Sequence, residues 1–85
     1  MIHNYTPKGV CSRSIRVQVE DGLVTAVQFE GGCQGNLAGL SRLVIGMPAN
    51  EAADRLRGIR CGQKSSSCPD QLATAITQMY ERTAV

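Results

Sequence analysis

Four cysteines, Cys11, Cys33, Cys61 and Cys68, are the residues of this 85-residue chain whose type and placement could do chemistry. A thiolate is a nucleophile, a redox centre or a soft metal ligand, and four of them complete a tetrahedral set for zinc or hold an iron–sulfur cluster. Each falls in an expected loop or at the end of an element. Cys11 precedes a strand, Cys33 lies within Gly31-Gly32-Cys33-Gln34-Gly35, Cys61 precedes Gly62, and Cys68 opens the last helix. Structural core thiols sit more often on the apolar stripes of strands and helices. A helix start and nearby cationic side chains, here Arg13, Arg60 and Lys64, both favour a thiolate over a thiol. On spacing alone three readings stay open. The first is a metal site, although the spacings are long and no Cys-x-x-Cys pair exists. The second is a disulfide or redox pair, which needs an oxidising compartment if it is structural. The third is four unrelated core thiols.

The elements that would position these cysteines can be read from periodicity. Residues 14–20 alternate apolar and polar with Ile15, Val17 and Val19 on one face, which predicts a half-buried strand. Asp21-Gly22 is a two-residue hairpin signal, because both positions tolerate positive φ. Residues 23–30 then form the return strand with Val24, Val27 and Phe29, and the alternation slips at Thr25-Ala26, where a bulge is expected. Ile2 and Tyr5, in the stretch up to Thr6, add a third strand. The period then changes. Asn36 is expected to cap a helix with Leu37, Leu40, Leu43 and Val44 inward, ended by Gly46. Asn50 is expected to cap a short second helix holding Ala53 and Leu56. Pro69 suits the first turn of a last helix, with Ser67 or Cys68 near the cap and Leu72, Ala75, Ile76, Met79 and Tyr80 buried. The reading is an α+β fold, a small antiparallel sheet of two or three strands followed by three helices packed on one face, in one domain over residues 1–85.

Composition narrows the function classes. Aromatic residues make up 4% of the chain, with no Trp and one Phe, so the core lacks its largest building blocks. A chain of this length buries only about 60–65% of its unfolded surface. Something besides burial is expected to help it fold. A net charge of +2 is too mild to argue for a nucleic-acid surface. No apolar run approaches the roughly 18–20 residues of a membrane span. The first seven residues show no basic stretch followed by an apolar one, so no secretory leader is expected and the cytoplasm is the expected compartment.

Ser66-Ser67-Cys68-Pro69-Asp70 resembles the signature of the TSCPD domain family, with Ser66 in place of Thr. Thr6-Pro7 through Val10-Cys11-Ser12, Gly31 to Asn36, and Gly58-Ile59-Arg60-Cys61-Gly62 agree with the same family. The likeness runs from about Thr6 to Ile76 and is to the short, stand-alone form. The same domain occurs at the C-terminus of adenosylcobalamin-dependent ribonucleotide reductases. The resemblance implies a metal-binding module and a tie to ribonucleotide reduction, with a ribonucleotide reductase or a redox protein as partner. A ribonucleoside-diphosphate reductase label would follow from kinship. Catalysis by this chain alone is not expected, since it lacks the length of a reductase barrel. A more distant similarity is to NifU-like iron–sulfur scaffolds, whose motif order matches Cys11, the hairpin at Asp21-Gly22, Gly32-Cys33 and Cys68 through Ala73. Those scaffolds carry an Asp where this chain has Arg13 and a His where it has Ser67, and Cys61 is an added thiol. Taken with the likeness, the expectation is one site built by Cys11, Cys33, Cys61 and Cys68, holding zinc ahead of an iron–sulfur cluster. The alternatives are an iron–sulfur carrier and a thiol-redox protein acting through Cys61 and Cys68.

The remaining polar residues have plainer readings. His3, the single histidine, is expected at the surface. Asp70, in a first helical turn, is explained by the helix dipole before any role behind a metal ligand. Arg55, Arg57, Arg60 and Lys64 read as a solvated basic stretch. No Ser/His/Asp arrangement or carboxylate pair stands out.

Overall fold

Asp21 and Gly22 both adopt positive φ, 54° and 78°, and fold the chain back on itself as a tight hairpin. In the computed structural model, which describes residues 2–7, 10, 12–32, 34–60 and 66–83 (side chains of residue 34 and residues 81–83 excepted), this hairpin joins β2 (Ser12–Glu20) to β3 (Leu23–Gly31). Its register runs Val17↔Val27 and Gln18↔Ala26, then shifts to Val19↔Val24, so Thr25 is the extra residue of a bulge. The Thr25 hydroxyl donates to the Gln18 carbonyl at 3.2 Å. That extra residue lets Val24 and Val27, three apart, share the buried face. A second shift lies between Ser12↔Gly31 and Ser14↔Glu30, and there Arg13 is the extra residue. β1 (Ile2–Tyr5) pairs antiparallel along the other side of β2, from Ile2↔Gln18 to Tyr5↔Ile15. The sheet order is β1-β2-β3.

Three helices follow: α1 (Gln34–Val44), α2 (Ala49–Leu56) and α3 (Cys68–Thr83). α1 lies on β3, α3 lies on β1 and β2, and α2 packs along α3. Ile15, Val17 and Val24 from the sheet, with Leu72 and Ile76 from α3, form the centre of one apolar cluster. Ala49, Ala52 and Ala53 are also buried there, and their small side chains let α2 approach closely. Full burial of each large aliphatic side chain contributes about 1.5–3 kcal/mol. The opposite sheet face carries Arg16, Glu20, Gln28 and Glu30 exposed to solvent. Gly46, at φ 89°, turns the chain out of α1, and its N–H reaches the Val24 carbonyl at 2.8 Å. The Val24 N–H reaches Met47 at 2.9 Å and the Ala49 N–H reaches Gly22 at 2.8 Å. The α1–α2 turn is thus fastened along the start of β3.

Five local expectations are corrected, the first being Tyr80, expected in the buried stripe of α3 but 37% exposed. Asn36 lies inside the first turn of α1, which starts at Gln34, two residues beyond the second of two positive-φ glycines, Gly31 and Gly32. Asn50 is the second residue of α2, whose N-cap is Pro48 with no side-chain cap bond. Leu43 is 76% exposed, because the inward stripe of α1 runs through Leu37, Ser41 and Val44. The Ser41 hydroxyl is satisfied there by the Leu37 carbonyl at 2.8 Å. His3 is buried rather than at the surface, because pairing of β1 turns His3 and Tyr5 inward and leaves Ile2 and Asn4 outward. Among the described residues its Nε2 has no hydrogen-bond partner. No helix among the described residues is long and apolar enough to cross a membrane.

Candidate metal centre

The N-terminus of α3 is built by two consecutive serines, Ser66 and Ser67, and the Asp70 carboxylate. Ser67 stands at the N-cap, and its hydroxyl accepts the Asp70 N–H at 3.2 Å. The same hydroxyl donates to the Ile59 carbonyl at 2.6 Å. Ser66 donates to Asp70 Oδ2, and the Gly58 N–H donates to Asp70 Oδ1 at 2.7 Å. These two donors, the Ser66 hydroxyl first and then the Gly58 N–H, hold the Asp70 carboxyl below its ordinary value of 3.8, with Arg57 adding to the effect against a small opposing cost of burial. Asp70 therefore clamps the 58–59 segment to the helix start. Gln71, itself buried, extends the network: its Nε2 donates to Ser66 at 2.9 Å and its Oε1 accepts the Tyr5 hydroxyl at 3.0 Å. Ser66, Ser67 and Gln71 are buried polar side chains, and each is hydrogen-bonded.

This helix start is where the neighbours of the expected ligands gather. The buried hydroxyl of Ser12, next in sequence to Cys11, lies 3.3 Å from Cys68 Sγ. Ser12 pairs with Gly31, two residues before Cys33. Ile59, two residues before Cys61, takes the Ser67 hydroxyl beside Cys68. Cys68 itself is half-buried at the first position of α3. Cys11, Cys33 and Cys61 lie outside the described residues, as do Lys64 and the expected four-sulfur geometry. Among the described residues no group of three or more His, Cys, Asp or Glu side chains comes together.

Gly31 and Gly32 have φ of 80° and 77°, a conformation that side chains rarely adopt. A Cβ on Gly31 would also lie 3.3 Å from Arg13 Nε and 3.4 Å from Arg13 N. The bulge residue Arg13 thus lies against the loop that leads to Cys33. Of the basic stretch, Arg55 pairs with Glu51 and Arg57 with Asp54, both at 2.8 Å on exposed helix surface. That agrees with a solvated face. The clamp through Asp70 was missed from sequence, although Ser67-Cys68-Pro69-Asp70 has the S-x-x-D spacing of a helix N-terminus that signals it.

Fold and site define a small α+β protein whose polar, cysteine-bearing centre is assembled around one helix start. A family model described as the TSCPD domain matches residues 1–80 of the 85, and the chain belongs to the TSCPD domain family. No curated protein and no solved structure matches it, so the NifU-like similarity rests on motif order.

Proposed function

We propose that this chain is a small metal-binding module in which Cys11, Cys33, Cys61 and Cys68 hold one zinc ion. The observation that carries the reading is the contact between Ser12 and Cys68, together with the Ser12↔Gly31 pairing and the Ser67–Ile59 bond. Those three links bring a described neighbour of every cysteine to one helix start, at separations in sequence of one or two residues from the thiols. The donor chemistry fits. Four thiolates suit tetrahedral zinc, and the helix start offers backbone N–H groups and a serine hydroxyl to a site of net negative charge. The Arg13 guanidinium would offset part of that charge. The role is accessory or structural, in the service of a ribonucleotide reductase or a redox protein as the family resemblance implies, with the cytoplasm as the expected compartment. An all-thiolate set without the Asp or His of a NifU-like scaffold favours retention over hand-on, which is why zinc is placed ahead of an iron–sulfur cluster and a carrier role. Anaerobic purification followed by elemental analysis and absorption spectroscopy tests this. One zinc per chain and no visible band supports the reading. Iron with sulfide and a visible band would move it to an iron–sulfur carrier, and no metal with two titratable redox thiols would move it to a thiol-redox protein.

A further inference from the structure

We propose that Ser12 is a positioning residue of the metal centre, whose hydroxyl donates to the Cys68 sulfur and holds that thiolate for the ion. The inference rests on the metal reading above and deepens it. β2 brings Ser12 inward by an irregularity rather than by its own alternation. Ile15, Val17 and Val19 are buried, so strict alternation would send Arg13 inward and Ser12 outward. The register shift between Ser12↔Gly31 and Ser14↔Glu30 inserts Arg13 as an extra residue and changes the phase. As a result Ser12 is 3% exposed, while Arg13 is exposed. The bulge thus aims a small hydroxyl side chain, from the residue next to Cys11, at the start of α3.

A buried hydroxyl needs a partner, and the choice made here is unusual. Four serines are buried among the described residues, Ser12, Ser41, Ser66 and Ser67. Ser41 donates to the Leu37 carbonyl, Ser66 to the Asp70 carboxylate and Ser67 to the Ile59 carbonyl. Ser66 and Ser67 are nearer to Cys68 in sequence, yet both donate to oxygen. Ser12, 56 residues away, is the one that meets sulfur, with Oγ 3.3 Å from Cys68 Sγ. While Cys68 carries its proton, either atom can donate. A metal-bound thiolate has no proton, and a hydroxyl has one, so with the ion present Ser12 donates and Cys68 accepts. A hydrogen bond to a charged acceptor is a strong one. It fixes the direction of the sulfur between β2 and α3. It also draws electron density from the thiolate, which eases the crowding of negative charge in an all-sulfur site.

The test uses the full chain, loaded with cobalt(II) for spectroscopy and with zinc for release to a competing chelator. Cobalt(II) bound by thiolates shows sulfur-to-metal charge-transfer absorption. In Ser12→Ala that band should keep its intensity, since the same sulfurs bind, and move to longer wavelength, since a thiolate without its hydrogen bond gives up electrons more readily. Zinc release from Ser12→Ala should quicken by about tenfold or more. Ser12→Thr keeps the hydroxyl and should restore both readouts, whereas the isosteric Ser12→Val should not. The Thr and Val pair decides the matter at equal volume even if Ser12→Ala folds poorly. Ser41→Ala removes a buried hydroxyl elsewhere and should leave the band in place. A chain that binds cobalt with the same band and the same zinc release in Thr and Val variants overturns this proposal and leaves the metal reading standing. A wild type that takes up neither zinc nor cobalt overturns both.

Discussion

Helix α3 is held in two ways along its length. From Leu72 to Met79 it is fixed by apolar burial: Leu72, Ala75 and Ile76 are 0%, 0% and 1% exposed against the sheet and α2. From Ser66 to Gln71 it is fixed by directed bonds to two other segments, β1 through Tyr5 and the 58–59 stretch through Gly58 and Ile59. The difference matters for what each region tolerates. Apolar burial depends on volume and accepts conservative exchange at modest cost. A buried hydrogen-bond network depends on geometry, and removal of one partner leaves the others unsatisfied. A ligand site needs the second kind of support, and the helix start has it.

The largest expected effect lies at the polar end. If the four thiolates hold zinc, chelation at neutral pH removes a term that supplies a large share of folding free energy in small metal domains. Melting followed by circular dichroism should fall by about 15 °C or more with chelator, and Cys33→Ser should reproduce the fall without it. Equal melting curves would break the contrast between the two ends, since burial alone would then hold the fold.

Next comes the apolar end. Leu72→Ala opens a cavity at a fully buried position and should cost about 2–5 kcal/mol in urea unfolding, whereas Leu72→Met should cost less than about 1.5 kcal/mol. A Met variant as damaged as the Ala variant would mean that this half is as geometry-bound as the other.

Smaller effects sharpen the comparison. Ser67→Ala removes both the cap of α3 and the Ile59 bond, and should cost about 1–2 kcal/mol, more than its volume change predicts. Asp70 adds a pH dependence of known sign. Its carboxyl is held below 3.8 in the folded chain, so the stabilisation is complete above that value and is lost as pH falls through the lower folded one. Acid unfolding of Asp70→Asn should lack that component while the wild type keeps it. Arg55→Ala, at an exposed pair with Glu51, should change stability by less than about 0.5 kcal/mol.

Much of the frame was legible in the residues. Asp21-Gly22 specified its turn because positive φ at both positions is a property of those residue types. The slip at Thr25-Ala26 marked a bulge that the register bears out at Thr25. Other features depend on tertiary choice. His3 looked terminal and polar, yet strand pairing put it inward opposite Val17, and no local pattern in four residues announces that. Asn36 and Asn50 are good caps by type, but Gly31-Gly32 and Pro48 turn the chain and start the helices earlier. Leu43 fits a helical stripe by spacing, while the face that α1 buries runs through Leu37, Ser41 and Val44 and leaves Leu43 outside. Cys68 was correctly placed at a helix start, and the contact with Ser12, distant by 56 residues, is one that only folding reveals.

X-ray absorption at the zinc edge of the anaerobically purified full chain tests the metal reading most directly. A single shell of four sulfurs at about 2.3 Å is the expected result. A zinc shell with nitrogen or oxygen in place of any sulfur, or a natively purified chain with no zinc to measure, would contradict it.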